Sequence, residues 1–248
     1  MPLIFIILLL LIISALLIYL ILMQKETKLS AAQAEQLINN NSTQLFNQFE
    51  SYHYIRDRLK LHNGLPYTRD WSASPDFLKL ITEHCLQHKP QIIVECSSGL
   101  SSLVLARCCQ LNQQGHLYSL ENGVDYASAS EQHIHDYDLD DFAHIIHAPL
   151  TPYSLNNTDY QWYDISQLPD ASINMLVIDG PPGFIQKHSR YPALPLLFKK
   201  LAKDCVIFMD DAARDEEKEI VEMWLGEFSN FEHEYVSLMR GCSVLRSL

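Results

Sequence analysis

The chain has 248 residues, 48% of them hydrophobic, and a formal net charge of −12. That length supports one or two domains around a sizeable core. The acidic balance, without any Lys/Arg-rich run, argues against nucleic acid or an anionic lipid surface as a partner.

From Pro2 to Met23 no residue is charged, and only Pro2, Ser14 and Tyr19 interrupt the aliphatic run. About 20 such residues span the hydrocarbon core of a bilayer. A cleaved leader would have a basic start and a small-residue cleavage site, both absent here, so residues 1–23 are expected to be an uncleaved transmembrane helix. Lys25 and Lys28 follow the span, which places the rest of the chain on the cytoplasmic side. The six cysteines (Cys85, Cys96, Cys108, Cys109, Cys205 and Cys242) lack C-x-x-C spacing, in keeping with a reducing compartment.

Residues 24–65 read as a helical connector. Ala31 to Ile38 favours helix, and Asn39-Asn-Asn-Ser-Thr43 is expected to break it. Leu45, Phe49, Tyr52, Ile55 and Leu59 then fall on one face of an amphipathic helix, expected to pack on the domain that follows.

Residues 66–248 alternate between strand and helix patterns. Ser74-Pro75 marks the start of a helix over Phe77–His88, which Pro90 stops. Strands are expected at Gln91–Glu95, His116–Glu121, Phe142–His147, Ile173–Asp179, Cys205–Asp210, Phe231–Val236 and Ser243–Arg246. Helices are expected at Ser101–Gln110, Asp125–Tyr137, Ala193–Ala202 and Arg214–Phe228. Only a short turn separates the last two strands, so they should pair antiparallel. The fold class is α/β: a doubly wound, mostly parallel seven-stranded sheet. Thr151–Gln167, rich in Tyr and Asn, is expected to be irregular and to supply substrate specificity.

Glu95, Glu121, Asp179 and the pair Asp210-Asp211 all stand at the carboxyl ends of strands, where a doubly wound sheet gathers its ligands. Ile92-Ile-Val-Glu-Cys-Ser-Ser-Gly-Leu-Ser-Ser102 reads as a first strand turning into a first helix through a ligand-binding loop. Gly99 is its only glycine, with Ser97 and Ser102 where a dinucleotide fingerprint would carry others. Glu121, ending the second strand, is placed to accept the hydroxyls of a ribose. A nucleoside without a pyrophosphate suits this set better than NAD or FAD.

These pieces resemble the class I S-adenosylmethionine-dependent methyltransferases, in particular the small-molecule O-methyltransferase branch and its uncharacterised bacterial members. The matching segments are Val94 to Ser102, Tyr118 to Glu121, Met175 to Gly183 and Val206 to Ala212, with Trp71–Phe77 and Arg190–Pro195 flanking them. The resemblance implies a Rossmann-like methyltransferase fold and S-adenosylmethionine as cofactor. It places Glu95, Ser97, Ser98, Gly99 and Ser102 at the methionine part, Glu121 at the ribose, and Asp179 at both cofactor and reaction centre. Asp179, Asp210 and Asp211 coincide with the Mg²⁺ ligands of catechol-type relatives, where the ion lowers the pKa of the acceptor oxygen. Ser97 departs from the family pattern, which has glycine there.

For the acceptor's proton, His188 and Lys187 in the segment after Gly183 are the candidate bases. Arg190 is expected either to bind an acidic substrate group or to pair with the nearby acids. Tyr126, Trp162 and Tyr163 are candidate pocket walls. The function expected is O-methylation of a small-molecule acceptor by a membrane-held enzyme, with self-association left open. An inactive tethered scaffold of the same fold is the alternative. A metal-dependent hydrolase has no support, since G-x-S-x-G, H-E-x-x-H and Walker motifs are all absent.

Overall fold

The computed structural model describes residues 2–62, 64–66 and 72–248; Trp71, part of one family-like segment, lies outside them. Two compact units are present, Met1–Asn47 and Gln48–Leu248.

Residues 2–47 of the first unit are helical, within α1 (Pro2–Arg58). Its large apolar residues from Leu3 to Met23 are 44–72% exposed, so they belong to no core. An 18-residue window there reaches a mean hydropathy of 3.4, making the helix long and apolar enough to cross a membrane. The expected break at Asn39–Thr43 does not occur, because α1 is continuous through it. Each Asn, Ser or Thr costs a helix only a few tenths of a kcal/mol, and strong helix formers flank the run. The Thr43 hydroxyl returns its bond to the Asn39 carbonyl one turn back, at 3.0 Å.

In the second unit a seven-stranded sheet is framed by helices. Its elements are α2 (Pro75–His88), β1 (Ile92–Cys96), α3 (Leu100–Asn112), β2 (His116–Glu121), α4 (Val124–Asp136) and β3 (Ala143–His147). A hairpin of β4 (Leu150–Leu155) and β5 (Thr158–Tyr163) follows. Then come β6 (Ile173–Ile178), α5 (Ala193–Leu197), β7 (Leu201–Asp210), α6 (Asp215–Glu227), β8 (Phe231–Val236) and β9 (Cys242–Ser247). The strand order is β3-β2-β1-β6-β7-β9-β8. Pairing is parallel from β3 to β7 and antiparallel at β7–β9 and β9–β8. This is the doubly wound, mostly parallel sheet expected, with the winding reversing between β1 and β6.

Period-two alternation sends strand side chains into two cores. Ile93, Leu117, Met175 and Val177 join α2, α3 and α4, together with Ile55 and Leu59 from the last turns of α1 and beyond. Val94, Leu120, Leu176 and Ile178 join α5, α6 and the aromatic residues of β5. The helix α3 is buried nearly all round, and it packs against α2, α4 and β2.

Two expectations are corrected. The helix expected over Ala193–Ala202 stops at Leu197, a 3₁₀ turn covers Phe198–Lys200, and β7 already begins at Leu201. Thr151–Gln167 is not irregular but mostly hairpin, with Leu155 paired to Thr158. Asn156 and Asn157 form its two-residue turn at φ of 50° and 61°, a conformation asparagine tolerates better than most residues.

Of the apolar face expected on Leu45–Leu61, Ile55 and Leu59 are fully buried, while Leu45 and Phe49 are 72% and 59% exposed. Leu59→Ala should therefore cost about 2–5 kcal/mol in urea denaturation of the detergent-solubilised chain, and Leu45→Ala close to nothing.

Candidate functional site

The carboxyl ends of β1, β2, β6 and β7 border a cavity of about 840 Å³. Ser97, Ser98, Glu121, Asp179, Arg190 and Asp211 line its polar side, and Tyr126, Leu150, Phe184 and Ile185 its apolar side.

The strand β1 ends at Cys96, and Ser97 turns away at φ 89° with its N–H donating to the Leu120 carbonyl at 2.8 Å. A left-handed conformation costs an L-residue about 1–2 kcal/mol. The serine fits because residue 180 is a glycine. A Cβ added there would lie 2.8 Å from the Ser97 Cβ and 2.4 Å from the Tyr163 hydroxyl. The expectation that Tyr163 and Trp162 form pocket walls is corrected: both are fully buried, and neither lines the cavity. Tyr126 does line it.

Glu121 is clamped at the cavity edge. One carboxylate oxygen accepts the Ser98 N–H at 2.9 Å and the Ser98 hydroxyl at 3.2 Å; the other accepts the Gly123 N–H at 2.8 Å. A second hydroxyl, that of Ser130, sits 2.9 Å from the Ser98 hydroxyl and steadies it. The carboxylate is thus preset, with lone pairs left for a ligand.

Glu95, Gly99 and Ser102 form a layer that does not itself line the cavity. The Ser102 hydroxyl donates to Glu95 and accepts the Gly99 N–H at 3.0 Å, so one side chain ties the turn to the strand. The Ser119 hydroxyl donates to the same Glu95 oxygen at 2.7 Å, while the other oxygen is buried without a partner. Burial pushes the Glu95 carboxyl up to about 7, against the lowering effect of hydrogen bonds from Ser101, Ser102 and Ser119.

Carboxylate oxygens of Asp179, Asp210 and Asp211 lie within 4.8 Å of one another, as a metal site would require. The cation among them is the Arg190 guanidinium. Its Nη2 donates to the Asp179 carbonyl at 2.9 Å, Asp179 Oδ1 at 3.3 Å and Asp211 Oδ2 at 2.8 Å. Its Nη1 donates to the Asp210 carbonyl at 2.8 Å. Arg214 adds a second cation, 3.0 Å from Asp211. Of the two roles expected for Arg190, pairing with the acids is the one observed. Burial raises Asp179 to about 7, Arg190 opposing and Asp211 adding to the shift. Asp210, with no donor on either oxygen, is pushed well above the carboxylate range by burial, then by Asp179 and Asp211.

Lys187 and His188 are not brought to the cavity. Both turn to Glu219, at 3.0 Å and 2.6 Å, and neither lines the pocket. They belong to a surface ion cluster with the N-terminal half of α6. The residues that sequence reasoning missed are Ser119 and Ser130, which support the two glutamates, and Arg214 and Arg240, which line the cavity. A lone serine inside the apolar run Leu117-Tyr-Ser-Leu120 was the available signal for Ser119.

Because the folded Glu95 carboxyl titrates near 7 rather than near 4.5, the folded chain holds its proton more tightly than the unfolded one. Its contribution to stability is full below about pH 4.5 and is lost as pH rises to about 7. Glu95→Gln should remove that part of the slope and raise the melting temperature at pH 8, as followed by calorimetry from pH 4 to 8; Asp179, shifted in the same direction, leaves a residual slope.

Residues 94–212 match the family described as a methyltransferase domain. Among solved structures, the chain is similar to the SAH-bound methyltransferase PaMTH1 of Podospora anserina, at 13% identity and a TM-score of 0.57 over 81% of this chain and 87% of that one. It is also similar to the O-methyltransferase of Bacillus cereus in complex with SAH, at 15% identity and a TM-score of 0.54 over 80% and 91% of the two chains. The O-methyltransferase TomG of Streptomyces achromogenes, in complex with SAM, gives 15% identity and a TM-score of 0.52 over 81% and 88%. No curated protein matches the chain. The second unit thus has the Rossmann-like methyltransferase fold, and the chain is similar, through its methyltransferase-domain match and its fold, to the class I methyltransferases of the small-molecule O-methyltransferase kind.

Proposed function

We propose that this chain is an S-adenosylmethionine-dependent methyltransferase acting on the oxygen of a small molecule, held at a membrane by its N-terminal helix. The observation that carries this reading is Glu121, fixed by two backbone amides at the edge of a cavity at the sheet's switch point. A nucleoside bound there would meet a carboxylate already oriented for its ribose hydroxyls. The Ser97–Ser98 turn, at the same side of the cavity, lies where the methionine part of such a cofactor would follow, with Glu95 holding the turn from behind through Ser102.

When bound, S-adenosylmethionine supplies an electrophilic methyl group on a sulfonium, open to in-line displacement. The chain's part is positioning and proton removal. With Lys187 and His188 engaged elsewhere, Asp179 is the acid at the cavity whose carboxyl titrates near neutrality, and it takes the acceptor's proton. Leu150, Tyr126, Phe184 and Ile185 present an apolar wall to the acceptor. The apolar span, followed by Lys25 and Lys28, supports a single-pass anchor with the methyltransferase unit in the cytoplasm.

Isothermal calorimetry should show the detergent-solubilised chain binding S-adenosylmethionine. Glu121→Ala should weaken that binding at least tenfold, since a charge-assisted hydrogen bond is worth about 1.5–3 kcal/mol. An undiminished affinity would remove the ribose assignment, and no binding by the wild-type chain would overturn the reading. With a cell extract as the source of acceptor, mass spectrometry should detect a product heavier by one CH₂. Asp179→Asn should lower its rate of formation by about 10²–10⁴, a general base's usual contribution, without weakening cofactor binding comparably. The activity should rise with pH through about 7, as Asp179 ionises. Cofactor binding without any product would favour the inactive scaffold.

A further inference from the structure

We propose that Arg190 takes permanently the place a divalent cation would hold among Asp179, Asp210 and Asp211, so that this chain neither binds nor needs a metal. The acid triad has the residue types and the spacing of a hard-cation site. Its electrostatic demand is nonetheless met from within the chain.

Three features support this. First, one guanidinium nitrogen already occupies an oxygen of Asp211 at 2.8 Å and one of Asp179 at 3.3 Å. Mg²⁺ would need such oxygens at about 2.0–2.1 Å in near-octahedral array, which the arginine's presence blocks. Second, Arg190 is not a side chain that swings aside. It is 4% exposed, and it also donates to the main-chain carbonyls of Asp179 and Asp210, at 2.9 Å and 2.8 Å. Withdrawing it would strip donors from the ends of two adjacent strands. Third, Arg214 stands 3.0 Å from Asp211, so an entering dication would face two guanidinium charges. The acid that Arg190 leaves unclaimed through its side chain is Asp210, and one carboxyl beside two guanidinium groups makes a poor cation site.

Arg190 is then a positioning residue for the proposed base: it fixes the Asp179 carboxylate at the cavity while balancing the charge around it. Glu217, 3.9 Å from Nε, belongs to the same balance.

The test needs no methyl acceptor and no turnover. The full chain in detergent, dialysed against EDTA, is titrated with Mn²⁺ and followed by electron paramagnetic resonance. The wild-type chain should bind no stoichiometric Mn²⁺ in the millimolar range, and its affinity for S-adenosylmethionine should agree within twofold in EDTA and in Mg²⁺. Arg190→Met should bind one Mn²⁺ per chain and lose it again when combined with Asp211→Asn. One Mn²⁺ on the wild-type chain, removed by Asp211→Asn, would overturn the proposal. So would a folded Arg190→Met chain that takes up no metal, since something other than Arg190 would then exclude it. If Arg190→Met does not fold, the wild-type titration still decides, with Arg190→Lys as the conservative control that should stay metal-free. Failure of the wild-type chain to bind S-adenosylmethionine would count against the proposed function and leave the Mn²⁺ result standing.

Discussion

Burying carboxylates at the ends of two neighbouring strands is expensive unless a cation is buried with them, and in this chain the cation is covalently part of the fold. Arg190 reaches the last carbonyl of β7 and the one just past β6, as well as the acids Asp179 and Asp211 that follow these strands. Such a network is weak as a source of net stability, because desolvating each ion consumes most of the attraction. Its effect is on uniqueness. If the segment after Gly183 packed differently, Asp179 would lose its paired guanidinium, and Asp211 and Glu217 would be left with Arg214. The position of that segment, and with it the cavity's wall, follows from the need to deliver a guanidinium to one point.

The Ser97 side of the cavity obeys a different constraint, that of space. Ser97 stands in a left-handed conformation, and the room it needs is yielded by Gly180, just past the neighbouring strand end. The serines at 102 and 119 are there for a further reason. They supply hydroxyl donors to the buried Glu95, which glycines could not do.

Much of this was legible in the sequence, for identifiable reasons. Buried parallel strands read as β-branched runs, and acids are expected at their ends from pattern alone; the structure brings Glu121, Asp179 and Asp211 to one cavity. What failed were features decided by a few residues in context. Asn39–Thr43 looks like a helix break, but low propensity over a short run is overridden by strong neighbours. Asn156-Asn157 marks a two-residue hairpin turn, a signal hidden within a stretch rich in tyrosine and asparagine. His188 and Lys187 follow the Gly-Pro-Pro-Gly turn closely, yet sequence proximity says nothing of direction, and the acids of α6 draw them outward. The role of Arg190 depends on three strand-end acids meeting in space, which no local pattern reports.

The β4–β5 hairpin is fastened to the segment after Gly183 in a particular way. The Gln186 side chain accepts the Gln161 N–H at 2.9 Å and donates to the Gln161 carbonyl at 3.2 Å, copying the bonds of an added strand residue. Leu150 at the hairpin's base and Phe184 and Ile185 beside Gln186 face the same cavity. An amide side chain thus couples two separate chain segments into one wall. Since Trp162 and Tyr163 root that wall in the core, a change at Leu150 or Gln186 would alter this side of the cavity while the Glu121 side, built on other strands, keeps its form. The two sides of the cavity are, in evolutionary terms, separately adjustable.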